Sequence, residues 1–162
     1  MERMKIYLDT NTVMDFFINA AKSLKEKKEI KLPKKYQFFA SQKEYVKFIT
    51  SVLTKAEIVR ELVAAYNMKK EDIEPVWKEF VNALNCYLIE EFKIDMKLID
   101  VVYLLPMRLR TMVNFQHLFI AMKEDAYLLS GDKDLVRIVR LLRIYDKVLT
   151  YPELRKLLSK VS

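Results

Sequence analysis

The stretch KIYLDTNTVMDFF, residues 5–17, decides the fold prediction, because its periodicity changes at a single acid. Met4–Leu8 is a short apolar run that is typical of a buried strand and ends at Asp9. From Thr10 to Lys28 the apolar residues recur at helical spacing. The stretch therefore predicts a strand followed directly by a helix, with an acid at the junction.

Strand-like and helix-like segments continue to alternate along the chain. Further strands are predicted at 46–52, 126–130 and 146–150, and further helices at 54–66, 71–90, 107–122 and 152–160. The segment 94–102 is ambiguous, and the charged stretch KEKKEIKLPKK (25–35) is expected to be an exposed connector. This alternation predicts an α/β protein with a mainly parallel sheet of four to five strands and helices on both faces.

Composition predicts a single domain over residues 1–162, because 52% of the 162 residues are hydrophobic and 31% are charged. No apolar run is long enough for a bilayer and no export signal is visible, so we expect a cytoplasmic protein with Cys86 as a core residue. The single glycine and the many lysines and glutamates suggest heat adaptation. The net charge of +7 favours an anionic partner such as nucleic acid, although a solvated basic surface explains it equally well.

Acids follow three of the predicted strands. Asp9 ends the first, Glu57 lies one turn into the helix after the second, and Asp132 and Asp134 follow the third. In an open parallel sheet, ligands bind beyond the carboxyl ends of the strands, near the point where strand order reverses. Carboxylates that meet there repel each other unless a cation joins them, and carboxylate and amide oxygens select Mg²⁺ or Mn²⁺.

Each acid also has a purely structural interpretation. Asp9 could cap the helix that follows it. TKAE, residues 54–57, matches a capping box in which Glu57 bonds back to the Thr54 backbone. Asp132 and Asp134 could form a turn and a helix cap. The recurrence of an acid after three separate strands favours a metal site.

Five segments in order resemble the PIN-domain nucleases, particularly the VapC-type toxins of prokaryotic toxin–antitoxin pairs. The segments are YLDTN (7–11), TKAEI (54–58), NFQHLFIA (114–121), LLSGDKDL (128–135) and VLTYPEL (148–154). The resemblance spans essentially the whole chain. It implies a PIN-like three-layer α/β/α fold and a ribonuclease that uses Mg²⁺ or Mn²⁺, with RNA as substrate and, for a toxin, an antitoxin protein as partner.

The resemblance also implies roles for individual residues. Asp9, Glu57 and Asp132 correspond to the catalytic, metal-binding acids of the family. Asn11 and Ser130 correspond to positions whose side chains support the site by hydrogen bonding.

The late helix contains the one residue position that departs from the family pattern; the stretch from Ala20 to Gln42 is also longer than the family's usual connector. Asn114 stands where the family usually has an aspartate, so it would ligate a metal without adding charge, with Asp134 as a further, less central ligand. His117 follows one turn later and could approach the site, but we interpret it as a histidine packed beside Leu118 on the helix face. The resemblance therefore predicts a site with weakened affinity for metal.

Two basic clusters are candidates for contacts with RNA phosphates, and either could equally be a solvated face. The first is the connector, beside which Tyr36 and Phe38 could stack on bases. Its members are Lys25, Lys27, Lys28, Lys31, Lys34 and Lys35. The members of the second are Arg108, Arg110, Arg137, Arg140 and Arg143.

Two other functions remain open. Asn114 is compatible with a non-catalytic PIN-like module that binds RNA or protein. DTNTV (9–13) with GDKD (131–134) loosely resembles the haloacid-dehalogenase-like phosphatases, although their second acid is replaced by Asn11. The segment VWKEFVNALNCYLIEEF (76–92) suggests a surface for a homodimer or an antitoxin, or else a core helix.

Overall fold

The computed structural model describes residues 2–104 and 112–160, which form five strands and eight helices. In chain order these are β1 (Met4–Leu8), α1 (Thr10–Lys25), α2 (Lys34–Gln42), β2 (Val46–Ser51), α3 (Val52–Tyr66), α4 (Lys70–Leu84), β3 (Tyr87–Ile89), α5 (Met96–Leu104), α6 (Met112–Lys123), β4 (Tyr127–Leu129), α7 (Lys133–Leu141), β5 (Val148–Leu149) and α8 (Tyr151–Ser159).

The five strands form one parallel sheet in the order β3-β2-β1-β4-β5, which confirms the predicted α/β class. From β1 the chain first moves outward through β2 to β3, and then crosses back to place β4 on the other side of β1. Strand order therefore reverses between β1 and β4. Register pairs Leu8 with Leu129, so the residues that follow these two strands, Asp9 and Ser130, lie side by side.

The alternation of side chains in β1 divides the core into two layers. Ile6 and Leu8 belong to a hydrophobic cluster with α1, α2, α3, α4 and α8, whereas Tyr7 belongs to a second cluster with α5, α6 and α7. All three side chains are fully buried. Helices thus cover both faces of the sheet, in the three-layer α/β/α arrangement.

Two elements, α2 and β3, were not predicted, and the helix predicted from Thr10 to Lys28 ends at Lys25. The predicted connector contains the start of α2, whose Tyr36 and Phe39 are buried against the core. The helix was missed because the lysines before this aromatic pair make the segment read as an exposed loop. The helix predicted over 71–90 ends at Leu84, because Asn85 adopts a left-handed backbone and the chain then enters β3. The ambiguous segment 94–102 is largely α5, and the first residues of the helix predicted over 107–122 lie outside the described part of the chain.

The interpretation of α4 as a core helix is supported by its burial. Ile73, Val76, Trp77 and Phe80 are all buried on one of its faces. Cys86 is buried as predicted, and burial raises the pKa of its thiol to about 12. None of the helices in residues 2–104 and 112–160 is long and apolar enough to cross a membrane.

Candidate functional site

Asp9 lies at the point where strand order reverses and joins the ends of β1 and β4. Its Oδ1 accepts hydrogen bonds from the Thr12 backbone N–H (2.9 Å) and the Thr12 hydroxyl (2.7 Å). Its Oδ2 accepts a hydrogen bond from the Ser130 hydroxyl (2.8 Å). The helix-cap interpretation is confirmed, since the Thr12 N–H bond caps α1, but the bond from Ser130 comes from a different strand.

The Asp9 carboxylate is buried, with 4% of the residue exposed. Burial raises its pKa, although hydrogen bonds from Thr12 and Ser130 and the field of His117 act in the opposite direction. A carboxylate offers about four acceptor positions. Described residues fill three of them, which leaves one position on Oδ2 that no described donor uses.

Glu57 does not form the predicted capping box. Helix α3 begins at Val52, two residues earlier than expected, and its N-cap is Ser51, whose hydroxyl accepts from the Thr54 N–H at 3.4 Å. Thr54 is therefore inside the helix and Glu57 lies beyond the capping positions. Oε1 of Glu57 instead accepts from the Thr10 hydroxyl (2.5 Å) and lies 2.7 Å from His117 Nε2.

The environment of Glu57 favours its ionised form. Partial burial raises the pKa of this carboxyl, but the hydrogen bonds with His117 and Thr10 outweigh burial, and its pKa is lowered overall. Its side chain is 33% exposed. No hydrogen bond from the described residues uses Oε2, so this oxygen is available to a ligand.

His117 links Tyr7 in β1 to Glu57 in α3, and packing beside Leu118 is only part of its role. The residue is 2% exposed, and its Nδ1 lies 2.6 Å from the Tyr7 hydroxyl, which in turn lies 2.8 Å from Ser51 Oγ. The sequence carries one signal for this arrangement. Tyr7 places a polar tip inside an otherwise apolar strand, and a buried tyrosine hydroxyl needs a partner.

Asp132 caps α7, as its structural interpretation predicts. Its Oδ1 accepts the N–H groups of Asp134 (3.0 Å) and Leu135 (3.1 Å), and its own N–H donates to Ser130 Oγ (3.1 Å). Asp132 is thus linked to Asp9 through Ser130. Asp134 is exposed, and its carboxylate forms an ion pair with Arg137 at 3.6 Å and has no hydrogen bond or ion pair with the described residues beyond that one.

The two asparagines of the predicted site are placed differently. Asn11 is exposed at the start of α1, and its backbone packs near Gly131. Asn114 is half-buried on α6, three residues before His117, and no hydrogen bond joins its side chain to the described residues. Neither side chain supports Asp9 in the way that Ser130 does.

The chemistry of two carboxylates at this edge suits a hard cation. Asp9 Oδ2 and Glu57 Oε2 each have acceptor capacity that described residues do not use. Within residues 2–104 and 112–160, no three histidine, cysteine, aspartate or glutamate side chains form a ready-made metal cluster. Mg²⁺ usually keeps several waters and binds through one or two carboxylates, so two available carboxylates match its ordinary coordination.

The structure divides the connector lysines between the two edges of the sheet. Lys35 Nζ donates to the Thr12 carbonyl (2.7 Å) and pairs with Asp15 (2.8 Å), near the start of α1. Lys25 ends this helix, about 20 Å from Thr12 along the axis. Lys28 pairs with Glu26 beyond it, and Lys34 is exposed at the start of α2.

The two aromatic residues beside the connector differ in burial. Tyr36 is fully buried and its hydroxyl contacts Asp15, so the prediction that it stacks on bases is wrong. Phe38 is half-buried against Tyr151 and Arg155.

The arginine cluster is partly engaged within the protein. Arg137 pairs with Asp134, and Arg140 donates to Glu153 (2.5 Å) and to the Val148 carbonyl (2.8 Å). Arg143 is exposed just after α7. The predicted contacts of Arg108 and Arg110 fall outside the described residues.

Comparison of the sequence with models of known protein families, and with curated proteins, gives no match. The resemblance to the PIN-domain nucleases therefore rests on the five sequence segments and stays a prediction.

Proposed function

We propose that the protein hydrolyses RNA phosphodiester bonds with the help of Mg²⁺ or Mn²⁺ bound at the edge of the sheet where β1 and β4 end. The observation that carries the proposal is the Asp9 carboxylate, which is buried, has a raised pKa and keeps an unused acceptor position on Oδ2. A buried carboxylate is costly unless it is paired, and no described lysine or arginine forms an ion pair with it. A divalent cation would offset that cost.

Asp9 and Glu57 would hold the ion, through Oδ2 and Oε2. When bound, such an ion acts as a Lewis acid toward a phosphoryl oxygen and lowers the pKa of a coordinated water. The protein's own residues orient these ligands: Thr12 and Ser130 fix Asp9, while Thr10 and His117 fix Glu57. Asp132 is linked to Asp9 by hydrogen bonds through Ser130, and Asn114 lies one turn before His117.

The net charge of +7 supports a polyanionic substrate. Among the connector lysines, Lys35 contacts the first turn of α1 and would approach a strand of RNA bound there, whereas Lys25 at the other end of that helix would not. The choice of RNA rather than DNA as the substrate rests on the resemblance to the PIN-domain nucleases. The same resemblance adds an antitoxin partner and a homodimer to this proposal.

A second candidate function is a non-catalytic module that binds RNA or protein. It is favoured by the observation that Asp9 and Asp132 both cap helices, so both have a structural role without any metal. Asn114 also brings no charge to the edge. The two functions differ in whether bound RNA is cut.

The deciding experiment measures cleavage of labelled single-stranded RNA in Mg²⁺, in Mn²⁺ and in excess EDTA, with Asp9→Asn and Asp125→Asn beside the wild type. Asp125 is a matched control, because it is an exposed acid paired with Lys147 at the opposite edge of β4. We expect cleavage only with metal, a loss of about 100-fold or more in Asp9→Asn, and a rate within about twofold in Asp125→Asn.

Other outcomes identify the competing functions. RNA binding without cleavage at any metal concentration would support the binding module. Metal-dependent hydrolysis of a small phosphomonoester, with RNA left intact, would support a phosphatase. Equal cleavage in EDTA, or by Asp9→Asn, would contradict the proposed mechanism.

A further inference from the structure

A continuous chain of hydrogen-bonding side chains runs from β2 to the proposed metal ligand Glu57. Ser51 Oγ lies 2.8 Å from the Tyr7 hydroxyl, which lies 2.6 Å from His117 Nδ1, and His117 Nε2 lies 2.7 Å from Glu57 Oε1. Ser51 and Tyr7 are fully buried and His117 is nearly so. The chain thus starts in the core and ends at a half-exposed carboxylate.

The roles of donor and acceptor in this chain can be assigned from its ends. An ionised Glu57 can only accept, so His117 Nε2 must carry a hydrogen and donate it. In the neutral ring with its hydrogen on Nε2, Nδ1 is an acceptor, so Tyr7 donates its single proton to Nδ1 and accepts the Ser51 proton, while the Thr54 N–H donates to Ser51 Oγ. In this assignment each buried nitrogen or oxygen in the series from Ser51 to His117 has a hydrogen-bond partner, and the ring of His117 is held at both nitrogens.

The hydrogen bonds to Glu57 are both made to one oxygen. His117 and Thr10 converge on Oε1, and no described residue donates to Oε2. A glutamate has three side-chain torsions, and the two donors from α1 and α6 restrict them. His117 itself is too deeply buried to touch a substrate; its Nε2 lies 2.7 Å from Glu57 Oε1 and 3.3 Å from the Thr10 hydroxyl.

We propose that His117 is a positioning residue: held by Tyr7, it fixes Oε1 of Glu57 and thereby presents Oε2 as the oxygen that Glu57 offers to a divalent cation. This inference rests on the proposed function in treating Glu57 as a metal ligand, whereas the hydrogen-bonded chain is independent of it. Partners of this kind, which orient a ligand without touching the metal, typically change metal affinity 10- to 100-fold when they are removed.

The test compares His117→Gln with His117→Asn by measuring Mn²⁺ binding to the purified protein by calorimetry or by electron paramagnetic resonance. The amide nitrogen of glutamine can reach the position of Nε2 and donate to Glu57, whereas the shorter asparagine reaches only the position of Nδ1. We expect His117→Asn to weaken Mn²⁺ binding about tenfold or more. Affinity in His117→Gln should lie well above that of His117→Asn.

A merely structural role for His117 would give a different result. Both variants would then lose resistance to urea in metal-free buffer, while their Mn²⁺ affinities stayed equal to that of the wild type. That outcome would overturn the proposal. Tyr7→Phe provides a second variant, because it removes the donor to Nδ1 and leaves the ring of His117 in place; we expect it to weaken Mn²⁺ binding severalfold, and unchanged affinity would count against the proposal.

The wild-type protein offers a test that needs no variant. His117 is the only histidine in the sequence, so labelling histidine with ¹⁵N gives ring signals from this residue alone. We expect the spectrum to show a hydrogen on Nε2. A hydrogen on Nδ1 alone would leave Nε2 unable to donate to Glu57 and would overturn the proposal, whatever the protein does to RNA.

These measurements separate the two proposals. A protein that binds no Mn²⁺ while its histidine spectrum shows Nε2–H would contradict the metal-dependent function and the positioning of a metal ligand, but not the hydrogen-bonded chain. A protein that binds Mn²⁺ with equal affinity in wild type and His117→Asn would contradict only the role of His117.

Discussion

The two carboxylates of Asp9 and Glu57 share one edge of the sheet but have opposite environments. Asp9 is buried beneath the hydroxyls of Thr12 and Ser130, and burial raises its pKa. Glu57 is half-exposed; burial alone would raise its pKa, but hydrogen bonds from His117 and Thr10 lower it overall. Hydrogen bonds lower the pKa of both carboxyls; at Asp9 burial outweighs them, whereas at the less buried Glu57 the bonds with His117 and Thr10 outweigh burial.

The two carboxylates therefore have different roles at the proposed site. Asp9 supplies a carboxylate that is costly to ionise without a cation, and so it gains most from a bound metal. Glu57 is ready in its ionised form before any metal arrives. Environments that move the pKa values of neighbouring acids apart are a common feature of catalytic sites.

The largest expected effect concerns activity. Glu57→Gln keeps the size of the side chain but removes its charge, so we expect RNA cleavage to fall about 100-fold. Its free energy of unfolding should fall by about 1 kcal/mol, because a charge-assisted hydrogen bond becomes a neutral one. The control is Glu74→Gln, which removes a surface charge paired with Lys55. If Glu57→Gln cleaves RNA at the wild-type rate, Glu57 is not part of the reaction.

A smaller effect is expected from adding a charge beside the pair. Asn114→Asp places a carboxylate one turn before His117 on α6. The attraction between this charge and a divalent ion is favourable even after the cost of desolvating the carboxylate is subtracted. We expect the Mg²⁺ concentration for half-maximal cleavage to fall about three- to tenfold. Asn82→Asp on the exposed face of α4 is the control. Identical metal dependence in wild type and Asn114→Asp would place Asn114 outside the site.

The smallest effect is the pH dependence of stability without metal. The folded pKa of Asp9 is raised, so its contribution to stability is full below an unfolded pKa of about 3.9 and is lost as pH rises through the folded pKa. Asp9→Asn cannot ionise and should gain stability relative to wild type as pH rises. The folded pKa of Glu57 is lowered, so its contribution is present above about 4.3 and is lost as pH falls through the folded pKa.

Glu57→Gln should therefore lose stability relative to wild type as pH rises, opposite to Asp9→Asn. Urea unfolding in EDTA from pH 3 to 8 measures both differences. Parallel curves for the two variants would mean that the two carboxylates do not differ in the way the structure indicates.

Much of the fold could be predicted because it depends on local periodicity. The strand that ends at Leu8, the strand that begins at Val46 and the helix that contains Pro152 in its first turn follow from apolar spacing and helix-start signals. The missed elements had weak local signals: α2 presents its apolar pair among lysines, and β3 is a strand of three residues that continues from a helical pattern.

The contacts of the candidate site are likewise of two kinds, local ones and ones between distant parts of the sequence. The sequence by itself determined the caps at Asp9 and Asp132, because each uses backbone N–H groups within three residues along the chain. Only the tertiary structure decided that Ser130 bonds to Asp9 across 121 residues and that His117 bonds to Glu57 across 60. Such contacts depend on strand order, on register and on the face of the sheet that α6 covers, and a single residue's neighbours in sequence carry none of that information.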